Sequence, residues 1–225
     1  MTEQRDKIIK GIRKKLQKSG WSDYLWQYWN SREWQYIIDT LIIEVQENRR
    51  WLPGADLMLR FMQECPVDKL KAVFLVDKVS IVWEGYDGIP LSSKGKELPY
   101  KANLEIQQTI PGQSDNPKYI TDMAVWANQG VLMIPTALTA EIGRDAHYNL
   151  WSPFVSYLIG KINKDYSNIR WVLMGRRAVE YSDMIKTDKK IQLTFKKMDD
   201  SWANMWPQIN EWIVLNEQMP VSWIM

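Results

Sequence analysis

Residues 69–93 read K-L-K-A-V-F-L-V-D-K-V-S-I-V-W-E-G-Y-D-G-I-P-L-S-S, and their pattern sets the fold class. Leu70 to Val76 is a short, nearly unbroken apolar run between turn-prone segments, the pattern of a strand buried on both faces of a parallel sheet. Gly85, Gly88 and Pro90 suit a loop leaving the carboxyl end of that strand. Ligands of open α/β sheets bind at such a place, so chemistry is sought here first.

Three further stretches have strand character: Val131 to Ile134 after Gly130, Ile169 to Met174, and the alternating Lys190 to Phe195. Helical patterns separate them, near Asn103 to Thr109, over Trp151 to Asn163 and over Trp202 to Leu215, while Gly175 opens a helix with Arg176 and Arg177 in its first turn. Upstream, Trp21 to Asn48 reads as one short and one long helix with an aromatic-rich buried side, and a short helix starts near Asp56 and runs through Phe61. Strands alternating with helices predict an α/β protein, a three-layer α/β/α sandwich around a central four-stranded parallel sheet. With no repeat or linker in view, one domain is expected over residues 1–225, carrying a basic helical extension at about residues 1–20. There Ile8, Ile9, Ile12 and Leu16 recur at helical spacing among Arg5, Lys7, Lys10, Arg13, Lys14, Lys15 and Lys18.

A chain of 225 residues suits one sizeable domain. The single Cys65 excludes an intramolecular disulfide and a cysteine-based zinc site, and fits a reducing compartment. His147 is the only histidine, which argues against a His-rich metal site and leaves few general bases at neutral pH. No metal or cofactor is expected. No apolar run reaches membrane-spanning length and the amino terminus is too polar for a secretory signal, so the expectation is a cytoplasmic protein with no membrane partner. A net charge of +2 permits nucleic-acid binding without demanding it. The 13 tryptophans serve either core packing or a recognition surface, with Trp21 to Trp34 and Trp202 to Trp212 as candidate protein-binding segments.

The order of segments resembles family 1 uracil-DNA glycosylase from about Trp34 to Trp223. Leu52-Pro53-Gly54 through Phe61 is similar to the family's proline turn and short helix, and Pro66 to Leu75 is similar to its P-x-D-K-V-K-V-V-I-L strand. Trp126 to Thr139 resembles W-A-x-Q-G-V-L-L-L-N-x-x-L-T, and it is the most specific match. Ala146-His147 looks like Ser-His, Met174-Gly175 like W-G, and Pro220-Val221-Ser222-Trp223 like the closing P-I-x-W.

The resemblance implies a pocket for an extruded base. In the family a carboxylate in G-Q-D-P-Y positions water and stabilises the sugar cation, an Asn ending L-L-L-N reads the base, a Phe stacks on it, and a His in H-P-S-P donates to it. This sequence departs at each. A gap-free alignment puts Lys78 at the carboxylate, with Asp77 one residue away; Pro135 stands for the Asn, Leu91 for the Phe, and Phe195 with Lys196, Lys197 and Met198 for the His segment. Proline has no side-chain hydrogen-bonding group and no N–H. His147 matches the family's other, structural histidine.

The departures predict a protein that is not an enzyme, a nucleic-acid-binding or scaffold component on a glycosylase fold, of the kind found in a viral or phage assembly. Lys78, Lys94, Lys96, Lys196 and Lys197, with Ser92 and Ser93, are its candidate phosphate contacts, DNA ahead of RNA. The basic amino-terminal helix offers a second contact to nucleic acid or to an acidic protein. Two alternatives stand beside this: an active glycosylase of altered base preference using Asp77, and a module that binds only proteins.

Overall fold

In a computed structural model, the structure describes residues 2–77, 86–142, 147–195 and 200–224. It opens with helix α1 (Thr2–Leu16), whose Glu3 and Arg13, Lys14 and Lys15 lie at the ends that suit the helix dipole. Two single turns follow, α2 (Trp21–Tyr24) and α3 (Trp26–Trp29), where the sequence predicts one short helix. Leu25 leaves helical geometry between them and breaks the segment in two. The long helix α4 (Arg32–Gln46) is capped by Ser31, whose Oγ accepts from the Trp34 N–H at 3.1 Å. Its stripe of Trp34, Ile37, Ile38, Leu41 and Ile42 is buried, and Asp39 receives Arg5 of α1 at 2.7 Å.

Next come strand β1 (Trp51–Leu52) and helix α5 (Arg60–Gln63), which starts later than predicted because Leu57 and Met58 spend their N–H groups on the Gly54 carbonyl in a turn. The core strand β2 (Ala72–Val76) is buried at all five positions. It is followed by α6 (Lys101–Gln108), α7 (Ala124–Ala127), β3 (Val131–Pro135), β4 (Ala140–Glu141), α8 (Tyr148–Asp165), β5 (Arg170–Met174), α9 (Arg176–Val179), β6 (Lys190–Leu193) and α10 (Asp200–Leu215). The short β1 and β4 pair antiparallel, a ribbon too brief to leave a pattern in the sequence.

The main sheet has the order β3-β2-β5-β6, with every neighbour parallel. Helices flank it, giving the α/β architecture with a four-stranded parallel sheet that the apolar runs predict. Ala72, Phe74 and Val76 sit opposite Val131, Met133 and Pro135, so these six side chains share one face. On that face Phe74 stacks on Trp223 at 5.9 Å, and Trp126 and Trp206 close around them. A second aromatic group, Tyr28, Trp29, Trp34, Trp151 and Phe154, joins α3 and α4 to α8. Among the described residues nine tryptophans are thus core residues, Trp51 and Trp212 are half-buried, and Trp26 is 55% exposed. Among the described residues no helix is long and apolar enough to cross a membrane.

The strand order fixes where a ligand should bind. The chain leaves β2 toward β3 on one side and leaves β5 toward β6 on the other, so the connections diverge above β2 and β5. Such a divergence opens a crevice at the carboxyl ends of the two strands.

Candidate active site

Asp77 is the first residue beyond β2 and lies at this crevice, half-buried. Its N–H donates to the Met174 carbonyl at 2.7 Å, while Thr136, the first residue beyond β3, donates to the Val76 carbonyl at 3.1 Å. These bonds carry the parallel register one rung past the strands. Thr136, Asp77 and Gly175 stand abreast, and by alternation they occupy the face opposite Phe74 and Pro135.

The Asp77 carboxylate is held from the β5 side. Oδ2 accepts from the Arg177 backbone N–H at 3.1 Å, and Oδ1 from the Tyr148 hydroxyl at a longer 3.4 Å. The Arg177 guanidinium lies 4.8 Å from the centre of the Tyr148 ring and pairs with Glu180 at 3.2 Å. Gly175 makes the approach feasible. At φ 93°, a Cβ there would fall 2.6 Å from the Asp77 Cβ and 2.9 Å from the Phe195 ring. Phe195 itself packs on Trp202 at 5.6 Å.

Beside this corner is a cavity of about 480 Å³, opening between α4 and the start of α8 and lined by Tyr36, Glu44, His147, Tyr148 and Arg177. His147 is a packed residue there. Thr139 Oγ1 accepts the Trp151 indole N–H at 2.7 Å, so its own proton turns to His147 Nδ1 at 2.8 Å. The histidine proton then sits on Nε2, facing the buried Glu44 carboxylate at 3.6 Å. Burial holds the imidazole below its ordinary pKa of 6.5, against the upward pull of Glu44 and Glu141.

The loop that re-enters the described chain at Tyr86 is fastened from the opposite side. Buried Arg60 pairs with Asp87 at 2.6 Å, with Asp122 at 2.7 Å and with Glu64 at 3.3 Å. Burial alone would raise the Asp122 carboxyl, but the Ala124 N–H and the Arg60 guanidinium outweigh it and hold it below the ordinary range. Asp87 also accepts from the Ile89 N–H and the Ser92 hydroxyl. Asn103 donates to the Leu91 carbonyl at 2.7 Å, fixing a leucine whose φ is +67°. Gly88 is required here, since a Cβ would meet the Leu57 carbonyl at 1.8 Å.

The sequence candidates therefore separate. Ser92 and Ser93 are fully buried, their hydroxyls turned to Asp87 and the Thr121 carbonyl rather than to solvent. Lys94 is exposed but pairs with Asp122 at 3.4 Å, and Lys96 is exposed. Leu91 and Pro135 are buried. Lys78, Lys196, Lys197 and Met198 lie outside the described residues. Tyr148 and Arg177, which meet Asp77, are not among the sequence candidates; the Gly175 turn beyond β5 is a signal for Arg177, and Tyr148 has none. Among the described residues no group of three or more metal-binding side chains occurs.

No family model matches the chain. The uracil-DNA glycosylase of Francisella tularensis strain WY96-3418 is 26% identical over 183 residues, covering 77% of this chain and 80% of its own. That of Saimiriine herpesvirus 2 is 31% identical over 114 residues, 44% of this chain and 45% of its own. The crystal structure of mimivirus uracil-DNA glycosylase superposes with a TM-score of 0.77 at 18% identity, over 91% of this chain and 86% of that one. These relatives overturn the expectation of a protein that is not an enzyme, because each is named for a catalytic activity. That expectation weighed side chains missing from motif positions, and it set aside Asp77, the carboxylate that the fold carries to the crevice. Over most of its length the chain is similar in sequence to uracil-DNA glycosylases, and it shares the fold of a solved one.

Proposed function

We propose that the chain is a DNA glycosylase that cleaves the bond between a base and its deoxyribose, with Asp77 as the working carboxylate and a base preference unlike the uracil-specific pattern. One observation carries this reading: Asp77 stands at the divergence of the β2 and β5 connections, with Arg177 and Tyr148 fixing its carboxylate. A carboxylate there can accept a proton from the attacking water and offset the positive charge that develops on the sugar as the base departs. Positioned general bases contribute on the order of 10²–10⁴-fold in rate.

The altered preference rests on Pro135 and Leu91. Pro135, whose ring lies on the face away from Asp77, offers no group to read a base edge, and a leucine supplies apolar contact without an aromatic face. Extrusion of a base is least costly where pairing is already weak, so mismatched, damaged or single-stranded bases are the favoured substrates. Lys94 and Lys96, with Lys78, Lys196 and Lys197, are the proposed contacts to DNA phosphates, giving affinity without sequence preference.

The test is a panel of single- and double-stranded oligonucleotides, each carrying one uracil, mispaired thymine, hypoxanthine or oxidised pyrimidine, assayed for abasic sites by alkaline strand scission. The wild-type chain should release at least one of these bases and Asp77→Asn should lose at least about 100-fold of that rate. Absence of release from every substrate by the wild type, or full activity in Asp77→Asn, would overturn the reading.

A further inference from the structure

The rung beyond the strands holds a second polar group. Thr136 is 1% exposed, and among the described residues no group hydrogen-bonds its hydroxyl. Buried hydroxyls are nearly always paired, and an unpaired one asks for a function. Its neighbours sharpen the question. The bond from the Thr136 N–H to the Val76 carbonyl seats Thr136 directly beside Asp77 on the adjacent strand, both side chains on the same face. Neighbouring strands lie about 4.8 Å apart, a spacing that one water molecule bridges with a hydrogen bond to each side. The two groups are also complementary. A carboxylate only accepts, whereas a hydroxyl both donates and accepts, so a water between them has its orientation fixed.

We infer that Thr136 is a water-positioning residue, holding the nucleophilic water of the proposed glycosylase together with Asp77. The inference rests on the reading of Asp77 as the working carboxylate. The step balances without a further reactant. The water oxygen bonds to the sugar C1′ as the bond from C1′ to the base nitrogen breaks. One water proton passes to Asp77, the other stays on the new sugar hydroxyl, and the base leaves with the bonding pair to be protonated from Asp77 or solvent. Arg177 and Tyr148 meet Asp77 from the β5 side, and Thr136 stands beside it on the β3 side.

Thr136→Val keeps the shape of the side chain and deletes the hydroxyl; Thr136→Ser keeps the hydroxyl and deletes the methyl group. Both are compared with wild type and Asp77→Asn on the best substrate of the panel, with kcat and KM measured separately and thermal midpoints recorded. The expected result is a kcat about 10-fold or more lower in Thr136→Val with KM unchanged, and near wild-type kcat in Thr136→Ser. A wild type that works and an Asp77→Asn that fails, together with unchanged kcat in Thr136→Val, would overturn the role of Thr136 alone. A loss that appears in KM, or equally in both Thr136 variants, overturns it too, since that is the signature of packing. A wild type that releases no base overturns the Asp77 reading and the Thr136 role with it.

Discussion

Asp77 and the pair Asp87 and Asp122 bracket the loop that follows β2, and the protein treats their carboxylates in opposite ways. Asp87 and Asp122 share a buried guanidinium, and two backbone N–H groups, a serine hydroxyl and the Lys94 ammonium add to their bonding. Asp77 accepts one backbone N–H, that of Arg177, at 3.1 Å and the Tyr148 phenol at 3.4 Å. The first arrangement is expensive to disturb and leaves little bonding capacity for a ligand. The second places a half-buried carboxylate at the crevice. A carboxylate locked to a buried guanidinium serves structure, whereas one at the divergence of the strand connections is placed for chemistry.

The largest effect should come from the Arg60 corner. Arg60→Met leaves Asp87 without its cation and Asp122 with only the exposed Lys94, and should cost about 3–5 kcal/mol in denaturant unfolding, with base release falling only as folded protein is lost. Asp77→Asn should do the reverse, losing activity while its unfolding midpoint stays close to wild type. If Asp77→Asn unfolds the protein as Arg60→Met does, the contrast between the two corners disappears.

A smaller effect concerns His147. Its pKa is depressed in the folded protein, so the unfolded chain takes up a proton near pH 6.5 while the folded one resists it. The stability held above pH 6.5 is therefore lost as pH falls through the folded value. Wild-type melting temperature should drop more steeply between pH 7 and pH 5 than that of His147→Gln, which carries no such proton.

The smallest effect separates two lysines. Lys96→Ala should lower the salt dependence of DNA binding by about one unit of slope, the amount expected for one phosphate contact. Lys94→Ala should lower it less, because Lys94 already neutralises Asp122. Equal slopes for both variants would show that the Asp122 pair opens on binding.

The fold was legible in the sequence where burial is complete. Strands β2, β3 and β5 are covered on both faces, so they appear as unbroken apolar runs and their order gives the class. Strand β6 is half-exposed at the sheet edge and its end was placed two residues late, at Phe195 instead of Leu193. The β1–β4 ribbon has two residues per strand and no pattern to detect. The site was legible only in part. Asp77 was visible as a residue near the expected position, but its partners Tyr148 and Arg177 come from elements far along the chain, and only the sheet register brings them together. Arg60 gave no signal, because Asp87 and Asp122 also join it from distant segments. Thr136 carries no signal of its own beside Pro135, whose side chain the pleat sends to the other face.

Trp223 stacks against Phe74, and with Trp126 and Trp206 it roofs one side of the central strand. During synthesis β2 emerges from the ribosome long before that roof exists. The nascent chain must therefore carry an uncovered apolar strand until Trp223 is made, an interval in which chaperone contact or mispairing competes with native closure.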